Sequence, residues 1–71
     1  MKEKTRKINF TDREKKIIEM LAAGYSDNEI ATFLKVSIHT IRSILAQLFR
    51  KTYAVNRTQL VAVALRIKLI D

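Results

Sequence analysis

Residues 26–52 read SDNEIATFLKVSIHTIRSILAQLFRKT, and two helix starts lie within them. Ser26 and Ser37 each stand where a side-chain oxygen can accept a first-turn backbone N–H that has no carbonyl partner inside the helix. Glu29, three residues after Ser26, can reach back to the cap and close a capping box; Thr40, three after Ser37, leaves the second box incomplete. Tyr25 with Ile30, and Val36 with Ile41, bracket the two starts at hydrophobic-staple spacing. Behind each cap the apolar residues return at three and four positions. Ile30, Ala31 and Leu34 mark one inward stripe; Ile41, Ile44, Leu45 and Leu48, with Thr52, mark the other. Only Lys35 and Val36 separate the first helix from the second cap, so the spacing predicts two closely coupled helices, the second longer.

The same start signal recurs on both sides. Phe10-Thr11-Asp12-Arg13-Glu14 opens an earlier helix with Ile17, Ile18, Leu21 and Ala22 inward, which stops at Gly24, the one residue that adopts a left-handed ending without strain. Val55-Asn56-Arg57-Thr58-Gln59-Leu60 opens a last helix, apolar nearly all round as far as Ile70. Leu60, Ala64 and Ile67 form the stripe expected to face the core. Val61, Val63 and Leu65 are then more apolar surface than a monomer of this size hides, and are the expected dimer interface. The chain has no proline. The expected fold is therefore all-α: a four-helix helix-turn-helix domain, with a tri-helical core plus a C-terminal fourth helix. Residues 1–8 read as a basic flexible arm and 9–71 as the domain.

Charge is unevenly spread along the chain. Residues 1–29 hold seven Lys or Arg against six Asp or Glu, whereas residues 30–71 hold seven against Asp71 alone, within a net charge of +7. A field of one sign on half of a small domain attracts polyanions, and nucleic acid is the leading partner. Two coupled helices, the second longer and basic outside, describe a helix-turn-helix, whose second helix lies in the DNA major groove. Its outer face here carries His39, Arg42, Ser43, Ala46 and Gln47 toward base edges, where Arg suits guanine, Gln adenine and Ala a thymine methyl. Ser37 at the cap and Arg50 near the far end are placed to hold the DNA backbone. An ordinary amphipathic helix with a polar exposed face has the same periodicity; the lack of acids throughout this half favours DNA.

Other chemistries find little support. With no cysteine and His39 as the only histidine, the chain lacks the three or four converging ligands of a metal site, and no cofactor is expected. Ser37, His39 and Thr40 crowd one helix start, which suits capping rather than nucleophilic catalysis, and one glycine cannot build a phosphate-cradling loop. Asp12 and Glu14 sit where carboxylates favour a helix start. The expectation is a non-enzyme. No apolar run approaches the ~18 residues of a membrane span, and the expected location is the cytoplasm, at the bacterial nucleoid. A protein–protein adaptor docking through the apolar fourth helix is the alternative reading; a basic helix lying on anionic membrane fits short, capped, inward-striped helices poorly.

Four runs taken together, Phe10 to Glu14, Ala23 to Ala31, Val36 to Ile41 and Asn56 to Leu60, resemble the LuxR/GerE-type helix-turn-helix domain of bacterial transcription regulators. The similarity spans about Phe10 to Ile70. It implies a four-helix domain that commonly dimerises through its last helix, alone or as the output module of a larger protein. It implies base contacts from Arg42, Ser43 and Ala46, and backbone contacts near Ser26, Asn28, Thr40, Lys51, Arg57 and Thr58. Expected partners are double-stranded DNA, a second copy of the chain, and RNA polymerase or another regulator. The sequence departs from the family pattern at Ile44, Thr52, Lys68, Asn28 and Ala46, where histidine, leucine, glycine, lysine and a polar or basic residue are respectively familiar.

Overall fold

The computed structural model describes residues 8–71, so the basic arm, Ile8 apart, lies outside the described residues. Four helices follow one another: α1 (Asp12–Ala22), α2 (Asp27–Leu34), α3 (Ile38–Thr52) and α4 (Arg57–Arg66). Each begins at the expected cap. Thr11 Oγ1 accepts from Glu14 N–H at 3.0 Å, and Glu14 Oε1 accepts in return from Thr11 N–H at 2.9 Å. Ser26 and Glu29 close the same box at 3.1 and 2.8 Å. At α3, Ser37 Oγ accepts from Thr40 N–H at 3.1 Å and pairs with the Thr40 hydroxyl at 3.0 Å, a bond between side chains that does not serve the Ser37 N–H a glutamate would reach. At α4, Asn56 Oδ1 accepts from Gln59 N–H at 2.8 Å, but Gln59 Oε1 reaches past the cap to Val55 N–H at 3.0 Å.

Helix endings share one device. Gly24, Lys35, Tyr53 and Lys68 all have φ between 60° and 96°, in the left-handed region. After α1, α2 and α4 the left-handed residue and its successor turn their N–H groups back onto the last turn. Gly24 donates to Leu21 O and Tyr25 to Met20 O, both at 3.0 Å; Lys35 donates to Thr32 O at 3.3 Å and Val36 to Ala31 O at 3.0 Å. Lys68 donates to Leu65 O at 3.1 Å and Leu69 to Ala64 O at 2.8 Å. This pairing satisfies carbonyls that the helix leaves open. α3 ends differently: the buried Thr52 hydroxyl donates to Leu48 O at 2.8 Å and accepts from Ala54 N–H at 3.3 Å.

α2 packs chiefly on α3, α1 on α4, and α3 on α4. Between them Ile17, Ile18, Ile30, Ile41, Leu48 and Leu60 are almost wholly withdrawn from solvent. Two expectations about the core are corrected. Ala22 is exposed, although Met20 and Leu21 just before it are buried: the inward stripe of α1 ends at Leu21. Ile67 is 45% exposed instead of facing the core. The helix stops at Arg66, not near Ile70, and the left-handed Lys68 swings the chain so that Ile70 takes the buried place and Leu69 packs beside it. Val61 packs in part against the core, while Leu65 is 48% exposed.

Candidate nucleic-acid interface

The core fixes α3 through Ile41, Leu45, Leu48 and Thr52, with Ile44 and Phe49 packed at its edge, and the helical period turns the opposite face outward. His39, Arg42, Ser43, Ala46, Gln47 and Arg50 are all exposed along that outer surface. Arg42 and Arg50 form no ion pair among the described residues. No acid lies on α3, so nothing on its outer face offsets these cations. Beside its start lie exposed Ser37 and half-buried Thr40, both engaged in the cap, and exposed Ser26 and Asn28 begin α2. The structure thus gathers the expected base-reading residues on one face.

Two other expected phosphate ligands sit against carboxylates. Lys51 Nζ donates to Glu14 Oε1 at 2.9 Å, to Glu14 Oε2 at 3.1 Å and to Asn9 O at 2.8 Å. It also lies 5.3 Å above the Phe10 ring. The Glu14 side chain is only 8% exposed, so its charge needs this partner. Burial by itself raises the Glu14 carboxyl; the hydrogen bonds from Lys51 and from Thr11 outweigh it and hold the group below its ordinary value. One carboxylate therefore both caps α1 and secures the end of α3. The sequence marks Glu14 as a capping residue but gives no sign of Lys51, 37 positions away. Arg57 Nη1 lies 2.9 Å from Asp27 Oδ1, a close ionic contact rather than an aligned hydrogen bond, and links the starts of α4 and α2. Thr58 beside it is exposed.

Away from α3, an apolar groove of about 460 Å³ runs between α1 and α2, with Met20, Tyr25 and Phe33 in its wall and Lys16 Nζ 5.5 Å above the Phe33 ring. Among the described residues no group of three or more His, Asp or Glu side chains converges as a metal site would require, and no helix is long and apolar enough to cross a membrane.

Comparison with known proteins bears directly on this arrangement. The family described as "Bacterial regulatory proteins, luxR family" matches residues 8–64. Response regulator Rre1 of Synechocystis sp. is 37% identical over 60 residues, covering 84% of this chain and 26% of that protein. The probable transcriptional regulator ycf29 of Cyanophora paradoxa is 39% identical over 64 residues, 90% of this chain and 30% of that protein. The CsgBAC operon transcriptional regulatory protein of Escherichia coli K12 is 45% identical over 53 residues, 75% of this chain and 24% of its own. The solved structure of response regulator ChrA, from a heme-sensing two-component system, superposes with a TM-score of 0.85 at 30% identity, over 94% of this chain and 33% of that one. The chain thus spans between 24% and 33% of the length of these relatives.

Proposed function

The chain belongs to the luxR family of bacterial regulatory proteins, and on that premise we propose that it binds a specific site in double-stranded DNA and regulates transcription. The observation that carries this reading is the outer face of α3, exposed, acid-free and bearing Arg42 and Arg50 without ion pairs among the described residues. The amino-terminal part of α3 enters the major groove, where His39, Arg42, Ser43, Ala46 and Gln47 meet base edges. Ser26, Asn28, Ser37, Thr40, Arg50, Arg57 and Thr58 hold phosphates around it. Arg57 exchanges Asp27 for phosphate on docking; Lys51 stays on Glu14 and acts on DNA only by holding α3. The domain works in the bacterial cytoplasm at the nucleoid, with RNA polymerase or another regulator as a further partner.

A homodimer through α4 completes the proposal. Val61 with Leu65, and Val63 with Ile67, each pair four residues apart, leave partly exposed apolar surface on α4 and its cap. Pairing it about a two-fold axis would set two α3 helices roughly 34–36 Å apart, one DNA turn, and calls for an inverted-repeat site. The same exposed Leu65 and Ile67 also suit an adaptor that docks another protein through α4. A salt titration on duplex DNA separates the two. With about five to seven phosphates neutralised per domain, log affinity falls against log salt with a slope of roughly −4 to −6. Absence of DNA retention at low salt overturns DNA binding and leaves the adaptor.

A further inference from the structure

Asp27 is the first residue of α2 and lies between Ser26 and Asn28, both assigned above to phosphates. A carboxylate there suits the positive end of the helix but repels an approaching phosphate. Its side chain is only 18% exposed, and Oδ1 is shut from solvent without an aligned hydrogen bond among the described residues. Arg57 Nη1, 2.9 Å away, answers it by charge alone. The other pair between helices is held differently: Lys51 gives Glu14 two hydrogen bonds and Asn9 O another. Arg57 also keeps 49% of its side chain exposed, beside exposed Thr58 at the start of α4. Glu29, the other carboxylate of this turn, accepts from Ser26 N–H and makes no ion pair among the described residues.

We propose that Asp27 is an internal rival of the DNA backbone for Arg57, and that it sets affinity by competing with phosphate. The proposal rests on the DNA-binding reading above, in which Arg57 exchanges Asp27 for phosphate. That exchange strips the counter-charge from a carboxylate largely withdrawn from water, and does so beside phosphates, so it is costly. The cost falls on every duplex alike, because a phosphate contact carries no base information. A lasting complex therefore needs the base contacts of α3 as well. In the free domain the same pair ties the start of α4 to the start of α2. Stability and affinity then oppose each other at one carboxylate.

That opposition supplies the test. The wild-type chain, Asp27→Asn, Arg57→Gln and the double variant are compared by thermal unfolding and by affinity for a specific and a nonspecific duplex at one low salt concentration. Asp27→Asn is expected to melt a few degrees lower, since the ion pair and a first-turn charge are lost. It is nonetheless expected to bind both duplexes about fivefold more tightly. A merely structural role would weaken binding along with stability. Adding Asp27→Asn to Arg57→Gln is expected to bring no such gain, since no guanidinium remains to compete for. Asp27→Ser, also neutral, repeats the comparison should Asp27→Asn fold poorly. Affinity at or below wild type in a folded neutral variant overturns the competition. So does a gain that persists beside Arg57→Gln, which would make Asp27 a direct repeller of DNA, or a gain confined to one duplex. A wild-type chain that retains no duplex at all instead removes the DNA-binding reading beneath it.

Discussion

At its amino-terminal end α3 is capped by Ser37 and carries His39, Arg42 and Ser43, all exposed and, among the described residues, free of ion pairs, with no acid on the helix. At its other end Lys51 is fixed by Glu14, Asn9 and Phe10, and Thr52 is buried against Leu48. Both ends are basic by composition, yet in one the cation faces outward and in the other it neutralises a withdrawn carboxylate. Counting Lys and Arg therefore overstates what is available to a polyanion. The count that matters is of cations without an ion-pair partner, and along α3, among the described residues, those are Arg42 and Arg50. A helix fastened at one end and along one face presents the other end in a fixed direction.

The largest test of this contrast lies at the reading end. Ile41 sits wholly buried under the exposed stretch, and Ile41→Ala is expected to cost about 2–5 kcal/mol of stability, enough to unfold much of so small a domain. A denaturation midpoint equal to wild type would mean that this end is not held by the core. At the fastened end, Lys51→Met leaves Glu14 without its counter-charge, and about 1–3 kcal/mol is expected. Its salt slope on DNA stays at the wild-type value; a slope smaller by about one would instead count Lys51 among the phosphate ligands. Arg42→Ala, by contrast, should leave stability near wild type. It should cost about 1–3 kcal/mol at the cognate site and relax base preference there, read by competition between cognate and altered duplexes.

Acid sharpens the same contrast. Because the folded Glu14 carboxyl lies below its ordinary value of 4.5, its contribution is present above that pH and disappears as pH falls through the lowered folded value. Wild type should lose stability on acidification more steeply than Glu14→Gln, with both measured by denaturant midpoint across the acid range. Parallel curves would show that the carboxylate does not support the fastened end. The smallest expected effect is at Lys68, whose φ is 62°. Lys68→Gly should raise stability by about 0.5–1 kcal/mol, the relief of left-handed strain less the entropy of glycine, and should leave DNA affinity unchanged.

The starts of the helices were legible in the sequence and the ends were not. Thr11, Ser26, Ser37 and Asn56 announce themselves because a cap is a bond between a side chain and a backbone group three residues on. The left-handed endings at Lys35, Tyr53 and Lys68 carry no such mark, since nothing in a lysine or tyrosine side chain requires that conformation. For that reason the apolar run through Ile70 reads as continuous helix although α4 closes at Arg66. The outward face of α3 was legible because its period is set by the core residues between. Lys51 on Glu14 and Arg57 near Asp27 were not, because each joins different helices whose mutual packing no local pattern states.

The capping contacts have a consequence for the order in which the chain acquires structure. Every capping bond joins residues three or four apart, whereas Lys51 and Glu14 are 37 apart. Closing short loops costs little entropy, so helix starts can form early, and a chain dominated by such contacts collapses quickly. The Lys51–Glu14 bond can form only once α1 and α3 are brought together, so it is expected to form late in folding. Removing a cap such as Ser26 should then slow refolding, while removing Lys51 should leave refolding nearly untouched and quicken unfolding. In kinetic terms, the bond that steadies α3 sets how long the domain stays folded and has little say in how fast it folds.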